Sequence, residues 1–419
     1  MSGAADGVYF VRMPTRDERS KGMTSSPGSP ATDCWGALQV EVIRSWDALD
    51  ALWEEWDRLL GASGSASVFL TPIWIAAWRD ANRAAGEPLV LVCRTDHGVL
   101  RGIAPLYTCT TGPLGLLRVA RFIGDASIDS DNLDMIAARG HEAMVVEAVL
   151  SALADVSGSW DLLELRHIPR ESPMLARVRA GALARGWLLD ERASPHLVVA
   201  LGGSWSDVLA GLSKKARWSA TYSDRHLARA GDLRSRHCER HEDLPYFLDA
   251  LFKLHQERWS RRGSRGNFRD AAHRAFHRAL AARLLDDGCL DLDLLELDGR
   301  PIAAHLGGRH AGTYYLLDGG FDPDLALYSP GVVLTGRVMQ RIIGDGLTHY
   351  DFLEGDEPYK RRWSPRVTEY VQLRLARPMG RGGRFLALAR TSGRVRAAVK
   401  DQMPALWAFA RRRARRVQP

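Results

Sequence analysis

The chain has 419 residues, 46% of them hydrophobic and 26% charged, with a formal net charge of +7. That length is more than one hydrophobic core ordinarily serves and calls for about two domains, while no run of about 18 apolar residues is present to cross a membrane as a helix. The charge is lopsided: from Arg381 onward there are ten arginines, Lys400 and a single acid, so this segment carries +10 and the rest −3, which removes any whole-protein case for binding DNA.

Residues 1–37 are rich in Gly, Ser, Pro and charge, lack the apolar core of a secretory signal, and read as a disordered leader. Cys34, Cys93, Cys109, Cys238 and Cys289 are odd in number and form no C-x-x-C pair. Neither a zinc knuckle nor a disulfide framework is indicated, no metal is expected, and the cytoplasm is the default compartment.

The first folded unit is expected over residues 38–202. LQVEVI from Leu38 has strand character, and Ser45 is a candidate cap for a helix over Ala48–Leu60. A second helix starts at Pro72 and stops at Gly86; Trp53, Trp56, Trp74 and Trp78 recur at three- and four-residue spacings and read as core aromatics. Two strands follow around the turn Asp96–Gly98. After them come a strand in DNLDMIAA, a helix over His141–Val156, a strand in DLLELRHI, a helix ending near Arg185 and a strand over His196–Leu201. Asp125, Asp129, Asp131 and Asp134 cluster near this unit's fourth element and could together form a metal site, but no calcium-loop pattern accompanies them, and they read as a loop capping a strand.

Gly202–Gly203 mark a break, and a second unit is expected over residues 203–378. A long or broken helix with a basic face (Lys214, Lys215, Arg217, Arg225) leads to a short strand, a helix from Pro245, a mobile basic loop over Arg258–Arg269 and another helix. From Leu290 the period changes to two, and turns at Asp298–Gly299 and His310–Gly312 indicate a three-strand meander. A helix over Gly331–Ile343, a strand over Thr348–Leu353, a charged loop and a final strand in TEYVQLRLAR complete it. Residues 379–419 form a basic tail with one weak helix over Met403–Arg416. It reads as solvated, with RNA, anionic lipid or an acidic partner as alternatives.

Two pieces of the second unit carry chemistry. In YSPGVV, Tyr328–Val333, Ser329 is a helix cap, Pro330 suits the first turn and Gly331 admits a ligand to the backbone; free N–H groups at a helix start attract phosphate. In YDFLEGDEPYK, Glu354 and Asp356 flank Gly355 at a strand end, where a carboxylate takes the proton of an attacking group. Lys360 would clamp a phosphate or carboxylate. His305 lies mid-strand among small residues, with Glu296 or Asp318 as partner and a titration range that suits a base.

The order helix, helix, three antiparallel strands, helix, strand, charged loop, strand resembles the Gcn5-related N-acetyltransferase (GNAT) fold. The segments PIAAHLGG, AGTYYLLDGGFDPDLALYSPGVVL and YDFLEGDEPYKRRW are similar to the acetyltransferase family associated with bacterial cellulose biosynthesis, called CelD-like or BcsL-like. FLTPIWIAAW at Phe69, LRGIAPLY at Leu100 and GLSKKARW at Gly211 resemble that family's upstream pattern. The family is distantly similar to the Fem-type peptidyltransferases.

The resemblance implies a mixed α/β fold of tandem GNAT-like domains, each with a mixed central sheet. It also implies an acyltransferase moving an acyl group from acetyl-CoA or another acyl-CoA to a small-molecule or glycan-precursor amine or hydroxyl, near exopolysaccharide synthesis. The pyrophosphate would sit at Tyr328–Gly331, the pantetheine arm beside Tyr315, and Tyr359 would protonate the departing thiolate. The usual Q/R-x-x-G-x-G/A phosphate pattern is absent. A Fem-like enzyme using aminoacyl-tRNA, or a non-catalytic scaffold, are the alternatives.

Overall fold

The computed structural model describes residues 9–11, 38–65, 67–111, 115–125, 130–263, 266–363 and 367–402. The first half contains β1 (Tyr9–Val11), β2 (Gln39–Ile43), α1 (Trp53–Gly61), α2 (Pro72–Asn82), β3 (Glu87–Arg94), β4 (Leu100–Thr111), β5 (Leu117–Phe122), β6 (Ile136–Ala137), α3 (Glu142–Asp155), β7 (Leu162–Pro169), α4 (Leu175–Ala184) and β8 (Leu188–Ala200). A broken connector, α5 (Trp205–Gly211) and α6 (Lys214–Ala230), leads to the second half: β9 (Leu233–His237), α7 (Leu244–Arg261), α8 (Ala271–Asp286), β10 (Leu290–Leu297), β11 (Arg300–His310), β12 (Thr313–Phe321), α9 (Pro330–Gly344), β13 (His349–Glu354), α10 (Pro358–Trp363) and β14 (Val367–Ala376). α11 (Arg381–Gln402) follows.

Apart from β1 and β6, both halves repeat one order: strand, two helices, three strands, helix, strand, helix, strand. All the long strands join one mixed sheet in the order β1-β2-β3-β4-β5-β7-β14-β8-β13-β12-β11-β10-β9. Two of its pairings are parallel, β5 with β7 and β12 with β13, one at the same place in each half. The halves exchange their last strands. β8 pairs with β13 of the second half, and β14 lies between β7 and β8. The sequence break at Gly202–Gly203 falls between β8 and α5, so hydrogen bonding crosses it.

Alternation along β12 distributes side chains to two cores. Tyr315 and Leu317 face one containing Phe247 and Leu251 of α7 and Phe276 and Leu280 of α8; Tyr314 and Leu316 face another containing Val338 and Met339 of α9. α2 carries a buried stripe of Trp74, Ile75, Ala77 and Trp78, is capped by Thr71 Oγ1, which accepts from Trp74 N at 3.3 Å, and sets Trp74 edge-on to Phe276. The first half therefore packs directly on α8. Trp56, Trp74 and Trp78 are buried, as expected of core aromatics, and Trp53 is half-buried.

Several expectations are corrected. Ser45 caps nothing: Trp46 precedes the first turn, without a side-chain cap. Within the expected disordered leader, Tyr9–Val11 pairs with β2. The expected basic loop begins later, because α7 continues to Arg261, and Asn267–Arg269 form a 3-10 turn. DNLDMIAA contributes only two strand residues. α11 occupies part of the tail where no helix was expected, while Met403–Arg416 lies outside the described residues.

Candidate functional site

A cavity of about 450 Å³ opens where β12 and β13 part, within the usual size of a small-molecule pocket. The two strands pair only through Thr313–Tyr315 and His349–Asp351. Two irregularities accompany the parting. A bulge interrupts the β11–β12 register between Leu306 and Gly307, and Leu353 takes a left-handed conformation at φ 61°. The unpaired ends, Leu316–Phe321 and Phe352–Glu354, line the cavity. The start of α9 (Ser329, Pro330, Gly331) closes one part of it, and Arg258, Trp259, Tyr359 and Lys360 another. Among the described residues of the first half, Asp131 and His167 line it.

Those two residues meet Glu354. Asp131 Oδ2 accepts the Glu354 backbone N–H at 2.9 Å, Asp131 Oδ1 lies 3.1 Å from His167 Nδ1, and His167 Nε2 lies 3.1 Å from Glu354 Oε2. The arrangement is held by backbone that side chains rarely adopt: Asn132 has φ 48°, His167 φ 54° and Leu353 φ 61°. Such residues cost of order 1–3 kcal/mol each and concentrate at functional sites. Beneath them Asp351 is buried and fully engaged, accepting from Asn132 Nδ2 at 3.0 Å and Leu353 N at 2.8 Å and lying 2.7 Å from His196 Nε2.

The charges follow from these contacts. The His167 hydrogen bond holds the Glu354 carboxyl down to about 2 against its burial. Burial disfavours a charged His167, but the Glu354 hydrogen bond and the Asp131 and Glu354 charges outweigh it and raise the imidazole to about 9. Burial raises Asp131, with the His167 charge and the Glu354 amide opposing. Near neutral pH the exposed end of the cluster is therefore an imidazolium–carboxylate pair. Burial also pushes the Tyr359 phenol up to about 12, so it remains a proton donor.

Asp131, His167 and Glu354 also lie close enough to share a cation. Both ring nitrogens of His167 are already engaged, however: Nδ1 with the Ser130 carbonyl at 2.9 Å, with Asp131 beside it, and Nε2 with Glu354. The other members of the aspartate cluster do not converge on it: Asp125 lies 3.7 Å from Arg166, and Asp134 accepts from Ser172 and Ser65. Asp129 lies outside the described residues.

Of the residues singled out from the sequence, Glu354, Tyr359, His305, Ser329, Pro330, Gly331 and Lys360 line the cavity; Asp356, Tyr315 and Tyr328 do not. Asp356 is exposed and paired with Arg361. Tyr315 is buried against Phe69 at 5.8 Å, on the core side of β12, and Tyr328 packs on His226 at 4.9 Å. Ser329 is left-handed (φ 53°) and makes no side-chain cap bond, so it starts the helix through its backbone turn. The Lys360 ammonium is buried, donating to the Glu354 carbonyl and lying 3.1 Å from Glu357; it fastens the strand end. His305 is buried with Nδ1 lacking a hydrogen-bond partner among the described residues, and burial plus the Arg258 charge lower it to about 3. It is a neutral, weakly basic lining group, which corrects its expected titration range. Asp131 and His167 were missed as a pair, because nothing local signals that two loops of the first half meet Glu354 at the end of β13.

A repeated strand-and-helix order, a β12–β13 fork and a helix start beside it define an acyltransferase fold of the GNAT type. The family profile described as the acetyltransferase (GNAT) domain matches residues 214–361. Among solved structures, FemX is similar over 76% of this chain and 95% of its own, at 11% identity and a TM-score of 0.57. A conserved protein of unknown function from Bacteroides thetaiotaomicron is similar over 78% of this chain and 97% of its own (14% identity, TM-score 0.51). So is the C-terminal domain of a protein described as a lysylphosphatidylglycerol synthetase from Agrobacterium fabrum, over 84% and 96% (13% identity, TM-score 0.50). At these identities the likeness is one of fold. No curated protein matches significantly by sequence. Among the described residues no helix is long and apolar enough to cross a membrane.

Proposed function

We propose that this protein transfers an acyl group from an acyl-CoA to an amine or hydroxyl, with the second half (residues 203–378) holding the donor and the first (residues 38–202) shaping the acceptor side. The observation that carries this is the cavity at the fork, which joins a helix N-terminus to Glu354 and Tyr359. The first turn of α9 has no acid to repel phosphate. The corresponding helix of the first half, α3, has Glu142 in its first turn, accepting from Gly140 N at 3.1 Å, so a carboxylate already stands at that helix start.

In this reading the acceptor's N–H or O–H is oriented by Glu354. An acceptor that displaces His167 removes the main cause of the low carboxyl pKa and makes Glu354 a better base. The nucleophile bonds to the acyl carbon, its proton passes to Glu354, the C–S bond breaks, and the Tyr359 phenol protonates the thiolate. Calorimetric titration with acetyl-CoA tests the donor; no heat at millimolar ligand refutes it. Glu354→Gln and Tyr359→Phe should each lower turnover by tenfold or more with donor affinity intact, whereas Asp356→Asn, at the surface, should not.

A second reading, an aminoacyl-tRNA donor, is favoured by one surface. Trp218 (58% exposed) stacks on Tyr222 at 4.4 Å, along the same helix as exposed Lys214, Lys215 and Arg217. A gel-shift with bulk tRNA, abolished by Trp218→Ala, would support it. The acceptor as a cell-surface glycan precursor, and a place near exopolysaccharide synthesis, rest on the family resemblance.

A further inference from the structure

The stretch from Asp318 to Gly336, which contains the proposed phosphate-binding turn, holds no lysine or arginine. Pro330 also removes one amide from the first turn of α9. An oxyanion bound there therefore needs a cation from another element.

Arg258, in the last turn of α7, lines the same cavity. One terminal nitrogen donates to the Gly319 carbonyl at 3.2 Å, and the guanidinium lies 5.3 Å from the Phe321 ring and 5.6 Å from the Tyr359 ring. Phe321 is also the side chain that a Cβ on Gly331 would touch, at 3.6 Å, so Arg258 and the start of α9 lie on one aromatic ring. Among the described residues no carboxylate comes within ion-pairing distance of Arg258, and its Nε has no hydrogen-bond partner. Arg262 and Arg362 also line the cavity but are exposed, while Arg261 is paired with Asp324, Arg300 with Asp322, and Arg309 and Arg341 with Asp291. Two buried histidines that line the cavity, His255 and His305, likewise have an Nδ1 with no such partner. Asp318 and Glu357 act on the guanidinium only from beyond contact, and a half-buried cation with no carboxylate against it is costly unless a ligand completes it.

We propose that Arg258 is the anion-binding side chain of this cavity, forming with the α9 N-terminus a two-sided cradle for a phosphoryl or carboxylate group. Its source, resting on the acyl-CoA reading above, is the donor's pyrophosphate; a carboxylate or phosphate on the acceptor has the same chemistry.

The test uses the full-length chain and its Arg258→Met and Arg258→Lys variants, titrated with inorganic pyrophosphate, coenzyme A and phosphate-free pantetheine. Arg258→Met should weaken pyrophosphate and coenzyme A binding about tenfold to a hundredfold and leave pantetheine unchanged; Arg258→Lys, which keeps the charge but not the planar fork, should fall between. Because Met removes an uncompensated buried charge, its melting temperature should be no lower than wild type's. Pyrophosphate weakened with coenzyme A unchanged keeps Arg258 as the oxyanion ligand and moves the anion to the acceptor. Wild type binding pyrophosphate but not coenzyme A refutes the donor reading and leaves Arg258 assigned. Pyrophosphate affinity equal in wild type and Arg258→Met, or absent from both, overturns the assignment. A lowered melting temperature with unchanged pyrophosphate affinity marks a purely structural arginine.

Discussion

Cutting the chain at the Gly202–Gly203 break should destroy both halves. A fragment of residues 203–402 lacks β8, so β13 loses one neighbour and β14 loses both, since β7 and β8 flank it. The second core loses Leu197, Val199 and Leu201, and Tyr370, Val371, Leu373 and Leu375 of β14 lose the strands beside them; all seven are less than 10% exposed in the intact chain. Counting only the four that remain in the fragment, at about 1.5–3 kcal/mol for each large apolar side chain returned to water, the loss is roughly 6–12 kcal/mol, before the contacts that leave with β8. That is comparable to the whole stability of a typical domain, about 5–15 kcal/mol. The fragment, followed by circular dichroism on heating and by limited proteolysis, should show no cooperative transition. A cooperative melt within a few degrees of the full-length protein would refute the strand-exchange argument.

Two glycines should separate fold from binding. A Cβ on Gly320 would meet the His255 backbone nitrogen at 2.3 Å, so Gly320→Ala pries α7 from β12 and should cost about 1–3 kcal/mol or more in urea denaturation. Gly331→Ala has room, touching only Phe321 at 3.6 Å, and should weaken coenzyme A binding without changing the midpoint. The His167–Glu354 pair predicts a pH signature. His167 is raised from 6.5 to about 9, so its contribution is full below 6.5 and lost as pH rises through 9; Glu354 is lowered from 4.5 to about 2, so its contribution is full above 4.5 and lost as pH falls through 2. The melting-temperature gap between wild type and His167→Gln should therefore be widest near pH 5–6 and shrink toward pH 10; a gap that widens with pH contradicts the ion pair. Asp131→Asn keeps an acceptor for the Glu354 amide but removes a charge from His167, and should lower the pH at which that gap closes.

Much of the second half was legible in order. The meander showed as period-two alternation from Leu290, and Pro330 marked a helix start, because both signals are local. Ser329 was misread as a side-chain cap, since a left-handed turn leaves no trace in a residue type that caps equally well. Asp356 looked equivalent to Glu354 on paper. Gly355, at φ 123°, turns the chain between them, so that of the two Glu354 lines the cavity. Tyr315 and Lys360 fit the chemistry by type but are taken up by packing and by the strand end.

By itself the sequence determined most of the elements, their order and the two segments that carry reactive groups, because propensity, capping and hydrophobic period act over a few residues. Tertiary structure decided which last strand completes which half, and that Asp131 and His167 reach across to Glu354. It also decided that Arg258 faces the cavity without a carboxylate partner among the described residues. Those outcomes depend on pairings between segments far apart in the chain, whose energy is set by burial and geometry that no local pattern encodes.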